Sequence, residues 1–219
     1  MTDQSDPSLA FHTRSRILSA AEHLFAERGL DDVNLREITD LARVNLASVS
    51  YHFGSRHGLM LSVFDRVAER ANRERLAELN AYLEGLGEET NPQIEDLISI
   101  FLSAYIGQGV EKQGRILAWF MLKSRLEPLE GFSEVVERHF DPWTDAIVSA
   151  LEKACPHLSH AEVYWRYFFM TATITMVITE RKENNRIQRI SDGEIDVSNS
   201  AMLRQSLSRY LISSFERVR

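Results

Sequence analysis

Residues 33–56 read VNLREITDLARVNLASVSYHFGSR, and this stretch holds two helix starts in quick succession. Asn34 stands three residues before Glu37, the spacing at which an Asn side chain and a Glu side chain cap each other's backbone amides, and Val33 and Ile38 stand where a hydrophobic staple would close. The spacing predicts a helix over 35–42. After only Arg43 and Val44, Asn45 can cap a further helix over 46–51, with Val44 and Val49 again at staple spacing. Two short helices joined by so tight a turn form a helix-turn-helix unit.

Working outward, Ile17, Ala21, Leu24 and Phe25 recur at helical spacing upstream, and Gly29 ends that helix, placed at 11–27. Downstream, Leu59, Val63, Val67 and Ala71 recur every four residues, predicting a long fourth helix from Arg56 toward Leu83. The pattern stays helical thereafter. A fifth helix begins near Ile94, a sixth covers 116–126, and a seventh covers 133–154 with Pro142 predicting a kink or break. Ser159 and Glu162 form a capping box opening an eighth helix over 159–181, a polar loop covers 182–197, and a ninth helix covers 198–217. The expectation is an all-α chain: residues 1–10 as a disordered tail, a three-helix DNA-binding unit over 11–55, and a larger helical domain over 56–219 for ligand binding and dimerisation.

Composition narrows the function. The 219 residues are 44% hydrophobic, enough for a substantial core, and the single cysteine, Cys155, rules out an internal disulfide and multi-cysteine metal sites. No secretory leader is visible in 1–10, and the greasiest segment, 164–178, carries Arg166, so neither export nor a membrane span is expected and a cytoplasmic location is. The net charge of −7 argues against unspecific coating of nucleic acid. Its distribution matters more: residues 41–64 contain no Asp or Glu but do contain Arg43, His52, Arg56 and His57, so a neutral to positive surface can face phosphate. A P-loop, a GxSxG elbow, an HExxH helix and a dinucleotide fingerprint are all missing, so an enzyme and a bound cofactor are not expected. The rival is a helical small-molecule binder without DNA binding, which leaves the acid-free window and the paired caps unexplained.

The runs TRSRILSAAEHLFAERG (13–29) and LREITDLARVNLASVSYHFGSRHGL (35–59) resemble the DNA-binding domain of the TetR family. That resemblance implies a recognition helix at 46–51 in the major groove and a dimer reading a palindromic operator. It places Asn34, Asn45, Leu46, Ala47, Ser48, Ser50, Tyr51, His52 and Arg56 at the DNA, Arg56 against a phosphate; the alternative for Asn45, Ser48 and Tyr51 is capping and packing. Two residues depart from the family pattern. Arg43 stands where relatives carry glycine, at a cost of roughly 1 kcal/mol if its φ is positive, and Ser50 stands where tyrosine is frequent.

Within the family, VNLASVSYHFGSR (44–56) and YWRYFFM (164–170) are similar to the branch of fatty-acid-responsive repressors. This implies a small apolar effector, a fatty acid or its coenzyme A thioester. Trp119, Phe120, Arg125, Phe168 and Phe169 are the expected lining, with Arg115, Arg125 and Arg166 as partners for its head group; the alternatives are ordinary core and ion pairs with Glu127, Glu130 and Glu162. The eighth helix is apolar on all sides, so it and the ninth are expected to form a homodimer interface. His157 and His160 could pair on a metal, but surface histidines at a helix start are the expected reading.

Overall fold

The computed structural model describes residues 7–87, 90–107, 110–127, 129–180 and 186–216, and over these the chain is helical with no strand. Helix α1 (Pro7–Arg28) opens inside the stretch expected to be a tail, of which 1–6 lie outside the described residues. α2 (Leu35–Ala42) matches its expected bounds, and α3 (Ala47–Phe53) runs slightly later than expected. α4 (Arg56–Gly85) is the long connecting helix, followed by α5 (Ile94–Ser103) and α6 (Glu111–Leu126). The expected seventh helix is two: α7 (Phe132–His139) and α8 (Asp141–Ala154). Pro142 sits in the first turn of α8, where its missing N–H costs nothing, whereas inside one continuous helix its ring would clash with the preceding turn. α9 (His160–Ile178) carries the predicted capping box. The expected loop holds a short helix, α10 (Arg186–Ile190), before α11 (Ser200–Ser213), while residues 181–185 lie outside the described part.

The core is continuous from end to end. Ile17, Ala21, Phe25, Val33, Ile38 and Val49 pack the N-terminal helices together, and Leu59, Val63, Phe64 and Val67 carry the same apolar stripe along α4 into the larger domain. Phe64 stacks on Phe120 and Phe132, both at 4.8 Å between ring centroids, so α4, α6 and α7 meet at one aromatic stack. Two glycines permit close approaches. A Cβ on Gly58 would lie 2.1 Å from the Phe53 carbonyl oxygen, so the junction of α3 and α4 needs glycine, and one on Gly114 would lie 2.6 Å from the Tyr105 backbone, where α6 passes the end of α5.

α6 also lies along α1, giving the two domains a second contact besides α4. Arg115 donates to the Ala26 carbonyl at 3.3 Å, and the Lys123 ammonium sits 2.9 Å from both Asp31 and Glu127. Movement in the larger domain therefore reaches the N-terminal helices by two routes.

Candidate functional site

α2 and α3 are set by their caps. The Asn34 side chain accepts from the Glu37 amide at 3.1 Å, the Glu37 carboxylate accepts from the Asn34 amide at 2.9 Å, and Arg28 donates to the same carboxylate at 2.5 Å. The backbone amide, and then Arg28, hold the Glu37 carboxyl below its usual pKa. At the next start the Asn45 side chain accepts from both the amide and the hydroxyl of Ser48, each at 2.9 Å. The oxygens of Asn34 and Asn45 thus serve the helix starts, and Ser48 is tied to Asn45. For Asn45 and Ser48 these are the hydrogen bonds of the capping alternative.

Between the helices Arg43 has φ 54° and ψ 49°, the left-handed conformation in which its departure from glycine carries a steric cost. Its amide donates to the Asp40 carbonyl at 3.1 Å and the Val44 amide to that of Thr39 at 3.0 Å, closing the end of α2. Arg16, on α1, donates to the carbonyls of both Ala42 and Arg43 and so holds the turn from outside. Sequence reasoning missed Arg16; an arginine on the polar side of α1 carries no sign of a partner 27 residues away.

With Val49 buried as the anchor, α3 exposes Ala47, Ser50 and Tyr51, with Leu46 exposed just before its first turn, and Tyr51 is 73% exposed. His52 is half-buried and meets the Tyr51 ring edge-on at 4.9 Å between centroids. Arg36 on α2 and Arg43 at the turn are exposed, and the Arg14 guanidinium lies 5.3 Å over the Phe53 ring. Such a surface offers a hydroxyl and a phenol for polar contacts and two apolar side chains for thymine methyl groups.

Arg56 corrects one expectation. Its guanidinium turns inward and donates to the carbonyls of Leu30 at 2.5 Å and Val33 at 3.1 Å, with the Met60 sulfur at 3.1 Å. It fastens the start of α4 to the loop between α1 and α2 and is not presented to a phosphate. Those carbonyls lie past the end of α1, outside its helical hydrogen bonds, and Arg56 satisfies them.

The expected effector lining is also rearranged. Phe120 is 1% exposed in the aromatic stack, so it is core. Trp119 lines a small cleft of about 100 Å³ between α6 and the loop after α1 with Leu122 and Lys123. Phe168 and Phe169 are 44% and 55% exposed on the outer side of α9, and Arg125 reaches out over Phe168 at 5.7 Å. Arg166 donates to the carbonyls of Ser214 and Glu162, and Arg115, which donates to the Ala26 carbonyl, also lines a cleft with Tyr105 and Val177; neither is fully buried. Helical periodicity could not distinguish the inner from the outer side of α9 because both are apolar.

The interior instead contains Arg75, 1% exposed, on the same side of α4 as Leu79 and the apolar stripe. It donates to Asn72, and its Cζ lies 4.4 Å from the Trp143 ring and 5.3 Å from that of Tyr105. Its Nε and Nη1 make no hydrogen bond among the described residues. Nearby, the Tyr167 and Thr144 hydroxyls are 3.0 Å apart, and burial pushes the Tyr167 pKa up to about 12 against the opposing pull of Thr144 and Arg75. The signal for Arg75 was present in the sequence as an arginine on the every-four-residues line through Leu59, Val63, Val67 and Ala71.

Other expectations have simple outcomes. His157 bonds the Phe215 carbonyl at 3.1 Å and His160 the Glu152 carboxylate at 2.5 Å. No cluster of metal-binding side chains and no helix long and apolar enough to cross a membrane occurs among the described residues.

Residues 17–63 match the family model for bacterial regulatory proteins of the tetR family, and residues 100–213 match that for the tetracyclin repressor-like C-terminal domain. The chain belongs to the TetR family. As a TetR-family member it is a DNA-binding transcriptional regulator, and α2 and α3 are its helix-turn-helix. Solved structures share the fold at low identity. The fatty acid degradation regulator FadR from Bacillus halodurans is 15% identical, with a TM-score of 0.55 over 90% of this chain and 97% of that one. FadR from Bacillus subtilis in complex with stearoyl-CoA is also 15% identical, with a TM-score of 0.57 over 91% and 98%. A transcriptional regulator from Saccharomonospora viridis in complex with choline is 20% identical, with a TM-score of 0.61 over 90% and 94%. A search of curated protein sequences finds no match.

Proposed function

We propose that this TetR-family chain is a homodimeric repressor that leaves a palindromic operator when a small apolar effector binds its larger domain. The observation that carries the reading is the face of α3 on which Ala47, Ser50 and Tyr51 are exposed, with Leu46 exposed just before its first turn, set by the capped α2 and the turn at Arg43. Tyr51 and Ser50 supply polar contacts, Leu46 and Ala47 apolar ones, and Arg36 and Arg43 attract phosphate. Release follows if the effector prefers a state in which the two recognition helices no longer stand about 34 Å apart.

The dimer reading rests on α9 and α11. Tyr164, Trp165, Phe168, Phe169 and Met176 are exposed along α9, with Met202 and Tyr210 on α11, a concentration of large apolar side chains of the kind that marks a protein contact. Trp165 stacks on Phe169 at 5.6 Å between centroids, a ready-made anchor for a symmetric four-helix contact. For the effector, a fatty acid or its coenzyme A thioester is the reading, supported by the two FadR structures of the same fold and by the resemblance within 44–56 and 164–170.

The test is a band shift of DNA from upstream of the chain's own gene, then titration of the complex with long-chain acids and acyl thioesters, beside aromatic and cationic compounds. Acyl compounds are expected to release the DNA. Release by cationic compounds alone would overturn the acyl assignment, and absence of any shift would count against repression of its own gene.

A further inference from the structure

A guanidinium keeps its proton even when buried, so Arg75 is a permanent cation inside the larger domain. Other half-buried arginines are spent on carbonyl oxygens, among them Arg56 at the loop after α1 and Arg204 of α11 at Ser99 and Ile106. Arg75 is not. Its hydrogen bond goes to Asn72 on its own helix, and Asn72 is itself fixed by donating to the Ala68 carbonyl at 2.9 Å, so the guanidinium is held still between Trp143 and Tyr105. It joins no ion pair among the described residues, and two of its three nitrogens are without a partner. Holding a cation in place while leaving it unbalanced suits an anion that arrives from outside.

Tyr105 is also a wall of a cleft of about 330 Å³ between the end of α5, the start of α6 and the ends of α9 and α11. The cleft is walled by Ile106, Val177, Ile178 and Leu203, and its polar residues include Glu111, Glu180 and Arg115, whose Nη1 donates to the Ala26 carbonyl at 3.3 Å. We propose that Arg75 receives the carboxylate of an apolar free acid whose hydrocarbon body lies in this cleft, Tyr105, which touches both the guanidinium and the cleft, turning aside to admit it. This rests on the reading of the chain as an effector-released regulator, and it selects between the two effectors named there. A thioester carbonyl is neutral and leaves the Arg75 charge unbalanced. The several phosphates of coenzyme A would meet Glu111 and Glu180 in the cleft and are too bulky for a closed aromatic box. A single carboxylate fits both constraints, and because Arg75 and Arg56 share α4, its capture acts on the helix that fastens the DNA-binding unit.

The experiment is isothermal titration calorimetry of the full-length protein with octanoate, decanoate, dodecanoate and hexadecanoate, with the alcohols of equal length and with decanoyl-coenzyme A. At least one acid is expected to bind roughly tenfold or more tightly than its alcohol. The Arg75→Met variant should lose that preference, still shift the operator, and no longer be released by the acid. Equal affinity for acid and alcohol, preference for the thioester, no binding by any acid, or retained acid preference in Arg75→Met would each overturn the proposal. If Arg75→Met fails to fold, Arg75→Lys keeps the charge: it should still prefer acid over alcohol, more weakly than the native protein, and a lost preference there overturns the proposal. Operator binding is scored separately, so a native protein that binds acids but no DNA refutes the regulator reading and leaves the acid site standing.

Discussion

Arg16 on α1 donates to the carbonyl oxygen of Arg43 at 2.8 Å, so the residue that bends the helix-turn-helix in left-handed backbone is held by a side chain from another helix. Glycine would adopt that backbone without the steric cost, and Arg43→Gly should therefore gain roughly 1 kcal/mol of stability. Arg16→Ala should lose about 1–2 kcal/mol. In urea unfolding the two changes should be non-additive, since the clamp and the strain share one peptide unit. Additive effects would show that Arg16 does not hold the turn.

Arg56 offers a sharper choice. If it fastens α4 to the Leu30 and Val33 carbonyls, Arg56→Ala lowers stability by about 1–3 kcal/mol and leaves the salt dependence of operator binding unchanged. A loss of about 1 in the slope of log affinity against log salt would instead restore the phosphate contact expected from its position in the chain.

Tyr51 is exposed, and among the described residues its ring meets only His52, edge-on, so Tyr51→Ala should leave unfolding nearly unchanged. Operator affinity should fall by about 1.5–3 kcal/mol if its hydroxyl donates to a phosphate, and Tyr51→Phe should show most of that loss. Full affinity in Tyr51→Ala would remove Tyr51 from the interface.

The parts of this molecule that were legible from residue order are those whose cause is local. Asn34 with Glu37 and Ser159 with Glu162 cap helices through contacts three residues apart, and Pro142 breaks a helix by its own covalent structure. At Arg43 the sequence showed a departure from the usual glycine and left a positive φ as a condition, which the structure meets. What Arg56, Phe168 and Arg75 do was not, because each depends on what another segment brings near it. The Leu30 carbonyl lies 26 residues from Arg56, and the outer side of α9 looks like the inner until its neighbours are in place.

That outer side makes its own prediction. Phe169→Glu or Trp165→Glu places a charge in the middle of the exposed aromatic surface and should yield a monomer by light scattering at micromolar concentration, with helix content retained. Operator affinity should collapse with it, because each half-site then binds alone. A dimer that survives both substitutions would move the interface elsewhere.

The capping boxes make the protein sensitive to acid. Glu37 and Glu162 both have carboxyl groups held below their ordinary 4.5, in each case first by the backbone amide of the capping partner, Asn34 or Ser159. A carboxyl depressed in the folded state adds stability that is present above its unfolded pKa and is lost as pH falls through the folded one. Between about pH 5 and pH 3 the unfolded chain binds more protons at these sites, so stability must fall with pH there. Glu37→Gln keeps an acceptor for the Asn34 amide but has no charge to lose. It should be less stable than the native chain at pH 7, and urea unfolding should show the difference narrowing as pH drops through that window, with the same result for Glu162→Gln. A gap that stays constant with pH would show that the carboxylate charge at these caps is not what holds them.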